Sequence, residues 1–92
     1  MSDHEEGLIR QYVDAIKALG VRAESGEDVN AAITSKVNEA VDHFRIIKSS
    51  DPLANLLAFK GRLKLTAEAT HPSQPAFKQT LRHAADICPD SI

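Results

Sequence analysis

Apolar residues recur every three or four positions through most of this chain, and this spacing limits it to helices that pack together. The clearest stripe runs from Leu8 to Leu19, and three further stripes follow it. A half-buried strand would instead alternate apolar and polar residues at every second position. We therefore predict an all-α fold, a small four-helix bundle. The predicted helices cover residues 4–19, 26–48, 52–69 and 75–88.

Two signals place the boundary between the first two helices. Gly20 follows the first stripe and is suited to the left-handed conformation that commonly ends a helix. Ser25, with Asp28 three residues later, resembles the start of the next helix, where a hydroxyl accepts from first-turn amides. We expect a short connector between these two signals.

The second half of the chain is marked by prolines. Asp51 is suited to an N-cap, and Pro52 to the first helical position, where its missing N–H costs nothing. Pro75 has the same place in the last helix. Helices three and four should therefore begin at these prolines.

Residues 56–66 allow a second interpretation, a hairpin that replaces part of helix three. Gly61 costs about 1 kcal/mol inside a helix, and residues 63–70 alternate as a strand does. A two-stranded ribbon without further strands is only marginally stable in water, and the sequence offers no other strand. A helix is therefore favoured, with the hairpin as the alternative.

The length of 92 residues predicts a single domain over 1–92. A chain of this size buries only about 60–65% of the surface that its unfolded form exposes. It has three Phe, one Tyr and no Trp, so aliphatic residues must fill the core. Association with a second copy would add buried surface, and we predict a homodimer.

Cys88 is the single cysteine, so it cannot form an internal disulfide. We expect a buried or idle thiol in a reducing compartment. The acidic start lacks a secretory signal, and no apolar run approaches the ~18 residues of a membrane span. These features predict a cytoplasmic protein that does not enter a membrane.

The predicted second helix is roughly 33–36 Å long at 1.5 Å per residue, longer than a bundle of this size requires. We therefore expect its end to reach beyond its neighbours. Ile46 falls on the face opposite Val37, near polar residues. Either helix three covers Ile46, or Ile46 contacts another molecule.

The titratable side chains form no pattern that is typical of a catalytic site or a metal site. Glu39 and His43 lie one turn apart with Asp42 adjacent, and together with His83 and Asp86 they are the candidates for a metal site. However, Glu39 and His43 point away from the apolar seam, as solvated side chains do. His43 also lacks the surroundings of a phosphotransfer histidine. We predict no catalytic residue, no cofactor and no metal site, and hence no enzyme.

Charge is unevenly distributed along the chain. Residues 1–44 carry nine acids and four bases, whereas residues 45–92 carry four acids and seven bases. If helices three and four lie side by side, five cations would share one surface: Lys60, Arg62, Lys64, Lys78 and Arg82. Three interpretations remain open, namely a solvated basic face, a site for an acidic protein surface, or a nucleic-acid site.

The leading functional hypothesis is a protein–protein interaction module, a regulator or inhibitor that binds and occludes a larger macromolecule. Ile46, Ile47 and Leu53 would form its apolar anchor, and Lys60, Arg62 and Lys64 would contribute to partner binding. The alternative is a small DNA- or RNA-binding regulator that uses the basic face of helices three and four.

Overall fold

The computed structural model describes residues 3–47 and 51–90. These form four helices: α1 Asp3–Glu24, α2 Asn30–Ile46, α3 Pro52–Ala69 and α4 Pro75–Ile87. No strand occurs in either described range. The prediction of an all-α four-helix bundle is confirmed, and the alternative hairpin over 56–66 is wrong, because α3 continues through Gly61 without interruption.

The apolar stripes meet in one core that all four helices share. At its centre, the rings of Tyr12, Phe44 and Phe59 pack edge to face, with centroids 5.8–6.4 Å apart. Aliphatic residues surround these rings, and each helix contributes some of them: Ile9 and Ile16 from α1, Ile33 and Val37 from α2, Leu56 and Leu63 from α3, and Leu81 and Ala84 from α4. Most polar side chains therefore face outward, with Asn55 and Thr80 as buried exceptions.

The predicted end of the first helix at Gly20 is wrong, because α1 continues to Glu24. A Cβ at position 20 would lie 2.7 Å from the Phe77 ring, so glycine here allows α4 to approach α1 closely. The left-handed residue is instead Gly26, with φ +100°. Hydrogen bonds from Gly26 N to Ala23 O and from Glu27 N to Arg22 O complete a Schellman motif.

The second helix begins at Asn30, four residues later than predicted. The Ser25 hydroxyl donates to Arg22 O and so belongs to the end of α1. Asp28 Oδ1 accepts from Asn30 N at 3.1 Å, within the turn before α2. With 17 residues, α2 is about 25 Å long, so the predicted excess length is also wrong. The predicted end at Lys48 lies outside the described residues.

The starts of α3 and α4 confirm the proline signals but use different caps. Asp51 Oδ1 accepts from Ala54 N at 3.0 Å, with Pro52 next to it. In α4 the adjacent Gln74 makes no side-chain cap. Instead, Glu24 Oε2 from the end of α1 accepts from Phe77 N at 2.9 Å. A carboxylate near a helix start also complements the helix dipole, so this bond connects α1 to α4.

Candidate interaction surfaces

The outward side of α2 forms an open groove of about 940 Å³, which we call the α2 groove. Of the four helices, α2 packs least extensively against the rest of the bundle, so this side stays uncovered. Nine residues line this groove: Tyr12, Ala31, Thr34, Ser35, Asn38, Glu39, Asp42, His43 and Ile46.

A hydrogen-bonded pair joins α1 to α2 at this groove. The Tyr12 hydroxyl lies 2.8 Å from His43 Nδ1, and the two rings are nearly perpendicular, with centroids 5.8 Å apart. Burial raises the pKa of Tyr12 above its ordinary value of 10.0, and the nearby charge of Glu39 raises it further. The phenol is therefore neutral at physiological pH and holds the imidazole in place.

Glu39 and Asp42 give the groove an acidic edge. Each forms an ion pair along α2, Glu39 with Lys36 at 2.6 Å and Asp42 with Arg45 at 3.3 Å. Both pairs are exposed, and exposed pairs of this kind contribute at most about 1 kcal/mol. A partner that presents cations or hydrogen-bond donors can therefore replace them at little cost.

The structure separates the three residues of the predicted anchor. Ile46 lies at the groove with 77% of its surface exposed, so the interpretation in which helix three covers it is wrong. Ile47 is half-buried and packs against the core. Leu53 is 37% exposed and belongs to α3.

The five cations of α3 and α4 do not form one continuous surface. Arg62 pairs with Glu6 of α1, and Lys60 Nζ lies 3.8 Å from Asp90 Oδ1. Lys64 and Arg82 share a cleft between α3 and α4 with Glu68 and Asp86. Lys78 is half-buried on α4 and does not line this cleft. The cations are thus interleaved with acids.

Glu39 and His43 lie in the α2 groove, whereas Asp86 lies in the cleft between α3 and α4. Asp42 also lines the α2 groove, so four of the five residues considered for a metal site are split between two surfaces. Within ranges 3–47 and 51–90, no three His, Cys, Asp or Glu side chains are grouped so as to hold a metal ion.

Cys88 is buried beside the end of α4, as predicted. Its Sγ donates to Ala84 O at 3.3 Å. Burial raises the pKa of this thiol to about 11, so it is protonated and unreactive at neutral pH.

Sequence reasoning missed two features of these surfaces. Tyr12 was assigned only to the core, because nothing local indicates that its hydroxyl meets a histidine 31 residues away. The second feature is the outward position of Leu57 and Leu65 on α3, where they are 53% and 66% exposed. A helical-wheel projection of α3 separates them from the buried Leu56 and Leu63 and would have revealed this.

None of the helices in the described part of the chain combines the length and apolar character needed to cross a membrane. Comparisons with protein-family models, with curated proteins and with solved structures give no match to this chain.

Proposed function

We propose that this chain is an interaction module that binds a larger protein through the α2 groove and occludes the bound surface, without covalent chemistry. The observation that carries this proposal is Ile46, a large apolar side chain that is 77% exposed at an open groove. Full burial of such a side chain contributes about 1.5–3 kcal/mol. Ile46 therefore serves as the anchor of the contact.

The acidic edge defines the chemistry of the partner. Glu39 and Asp42 lie on the same side of α2 as Ile46, within the half of the chain that carries net charge −5. The fitting segment has an apolar pocket or patch for Ile46, flanked by Lys or Arg side chains. Charge complementarity of this kind sets orientation and association rate.

The contacts within the groove support binding rather than catalysis. Tyr12 and His43 are hydrogen-bonded to each other. The carboxylates of Glu39 and Asp42 already pair with cations on α2. The groove is open to water, whereas catalytic groups are usually held in a concave site that excludes it. We propose that Tyr12 and His43 give the contact surface its shape.

We propose that the protein acts in the cytoplasm, because a lone, buried and unpaired cysteine fits a reducing compartment. Occlusion is the proposed mode of regulation. A rigid helical bundle of this size covers a partner's surface when one helix face docks on it, and it needs no conformational change to do so.

The test compares three immobilised full-length baits, wild type, Ile46→Glu and Val21→Glu, exposed to extract of the native cell. Val21 is a matched control, since it is 62% exposed on α1 and does not line the groove. We expect one or more proteins to be retained by wild type and Val21→Glu and lost by Ile46→Glu. Identical retention by all three baits, or none above a blank matrix, overturns the proposal.

A retained protein then allows the test of occlusion. Its own activity, measured with increasing wild-type chain, should fall to a limit, and Ile46→Glu should leave it unchanged. An activity that is unaffected at saturating chain would leave a binding module without a regulatory effect, contrary to the proposal.

The nucleic-acid alternative is tested separately by gel shift at low and moderate salt. Phosphate contacts by Lys60, Arg62 and Lys64 would give a retardation that falls steeply with salt. Reversing the three charges would remove it. The interleaved acids Glu6, Glu68 and Asp90 weigh against this alternative, so we expect no shift at either salt concentration.

A further inference from the structure

Helix α3 is apolar on two opposite sides. Its inner side, with Leu56, Phe59 and Leu63, is fully buried in the core. Its outer side carries a second set spaced by four residues, which we call the α3 row: Leu53, Leu57, Gly61 and Leu65. The chain itself leaves this side of α3 open, since Leu57 and Leu65 are 53% and 66% exposed.

The spacing of the α3 row matches a known way for two helices to pack. Side chains four residues apart form a ridge inclined to the helix axis, and two such ridges interdigitate when helices cross at about 50°. Contact is then closest at one point and extends about one turn to either side. Gly61 occupies the middle of the row, with Leu57 and Leu65 one turn away on either side.

No contact or backbone conformation within the chain requires a glycine at Gly61. It is inside a helix, it does not adopt a positive φ, and nothing lies within 4 Å of the position of a Cβ. It nevertheless costs about 1 kcal/mol relative to alanine. Gly20, by contrast, gives room to Phe77. A glycine at a helix crossing lets two backbones approach closely, and this is a use that Gly61 fits.

The charges beside the α3 row indicate the kind of partner. Lys64 and Glu68 border it and share a cleft of about 260 Å³ with Arg82 and Asp86. This rim holds two cations and two anions, so it does not select a strongly charged surface. It suits a partner of balanced charge, such as this chain with its net charge of −2.

From these observations we infer that the α3 row is the contact between two copies of this chain, which cross with Gly61 against Gly61. Each copy then inserts its Leu57 and Leu65 beside the other copy's row. One helix crossing buries less than the ~800 Å² per partner of a standard stable interface, so the dimer is weak and depends on concentration. No residue of the α3 row lines the α2 groove, so the dimer presents two open grooves and does not rest on the proposed function.

The first test is sedimentation of wild type, Leu65→Glu and Val21→Glu over a wide range of protein concentration. Leu65 and Val21 are 66% and 62% exposed, which makes the two variants a matched pair. Wild type and Val21→Glu should shift together from monomer to dimer. Leu65→Glu should raise the dissociation constant at least about ten-fold, because the dimer would bury unpaired carboxylates.

Two outcomes overturn the inference. Wild type that stays monomeric at every concentration excludes the dimer. A dimer weakened equally by Leu65→Glu and Val21→Glu excludes the α3 row as its contact. Ile46→Glu should dimerise as wild type does, so failure of the α2 groove proposal is distinguishable from failure of this one.

The second test examines the crossing point with Gly61→Cys and, as control, Gly7→Cys, both in a Cys88→Ala background. Gly7 also has open space around its Cβ position, but it lies on α1. Disulfides need Cα atoms about 4.4–6.8 Å apart, a distance that only a residue at the crossing meets with its own copy. Gly61→Cys should form covalent dimers much faster than Gly7→Cys under mild oxidation. Equal rates overturn the placement at Gly61.

Discussion

Helices α3 and α4 pack against each other, but they differ in how much of their apolar surface the chain buries. In α4 the apolar residues lie on one side, and Leu81, Ala84 and Ala85 are fully buried. In α3 they lie on two sides, and only the inner one is buried. The comparison shows that burial within the chain accounts for the apolar residues of α4, but not for those on the outer side of α3.

The largest expected difference between α3 and α4 is in the free energy of unfolding that is lost when one leucine of each helix is replaced by alanine. Leu81→Ala should lower the free energy of unfolding by about 2–5 kcal/mol, because it leaves a cavity in a closely packed core. Leu57→Ala should change it by no more than about 0.5 kcal/mol, as expected for an exposed position. Urea unfolding of dilute, monomeric protein measures both values. Equal losses would mean that the outer side of α3 is covered within the monomer.

How much of this fold could be predicted differs between the two halves of the chain. Asp51 and Pro52 act through local backbone chemistry, so the start of α3 was predicted to the residue. The prediction that Gly20 ends the first helix was wrong, because a glycine either ends a helix or makes room for a neighbour. Only Phe77, 57 positions away, decides between these roles, and sequence spacing does not reveal that contact.

Substituting alanine for glycine should give the next largest contrast, because the free energy of unfolding should fall at Gly20 and rise at Gly61. Gly20→Ala should destabilise the protein by up to about 2 kcal/mol, because overpacking against Phe77 outweighs the gain in helix propensity. Gly61→Ala should stabilise the monomer by up to about 1 kcal/mol, since its Cβ meets nothing in the chain. Thermal unfolding at low protein concentration measures both.

Gly7→Ala is the control for this pair, because its Cβ position is also open. It should stabilise the monomer much as Gly61→Ala does. A destabilising Gly61→Ala would show that glycine is needed within the monomer and would remove one support for the α3 row as a contact between copies.

The candidate surfaces were predictable only in part, for a similar reason. The position of Ile46 opposite Val37 follows from the helical spacing, but only the structure shows that helix three leaves Ile46 exposed. The pairing of Tyr12 with His43 depends on how α1 lies across α2, and no local pattern encodes that. The cations were expected on one surface, but the acids interleaved with them come from other segments, as Glu6 and Asp90 illustrate.

The smallest expected effect tests whether the end of α4 is as well buried as its middle. Burial raises the pKa of the Cys88 thiol from 9.0 to about 11. The unfolded chain therefore loses this proton near pH 9, whereas the folded protein keeps it until about pH 11. Its contribution to stability is complete well below pH 9 and is lost as pH rises toward 11, by at most about 1 kcal/mol between pH 9 and 10.

Urea unfolding of wild type and Cys88→Ala at pH 8, 9 and 10 isolates this contribution. Burial also raises the pKa of Tyr12, so both proteins should lose some stability above pH 10 from the phenol. Wild type should lose more than Cys88→Ala between pH 9 and 10, because only wild type carries the thiol. Parallel pH profiles would show that the thiol titrates normally, and hence that α4 opens to water at its end and resembles the outer side of α3 more closely than its own core.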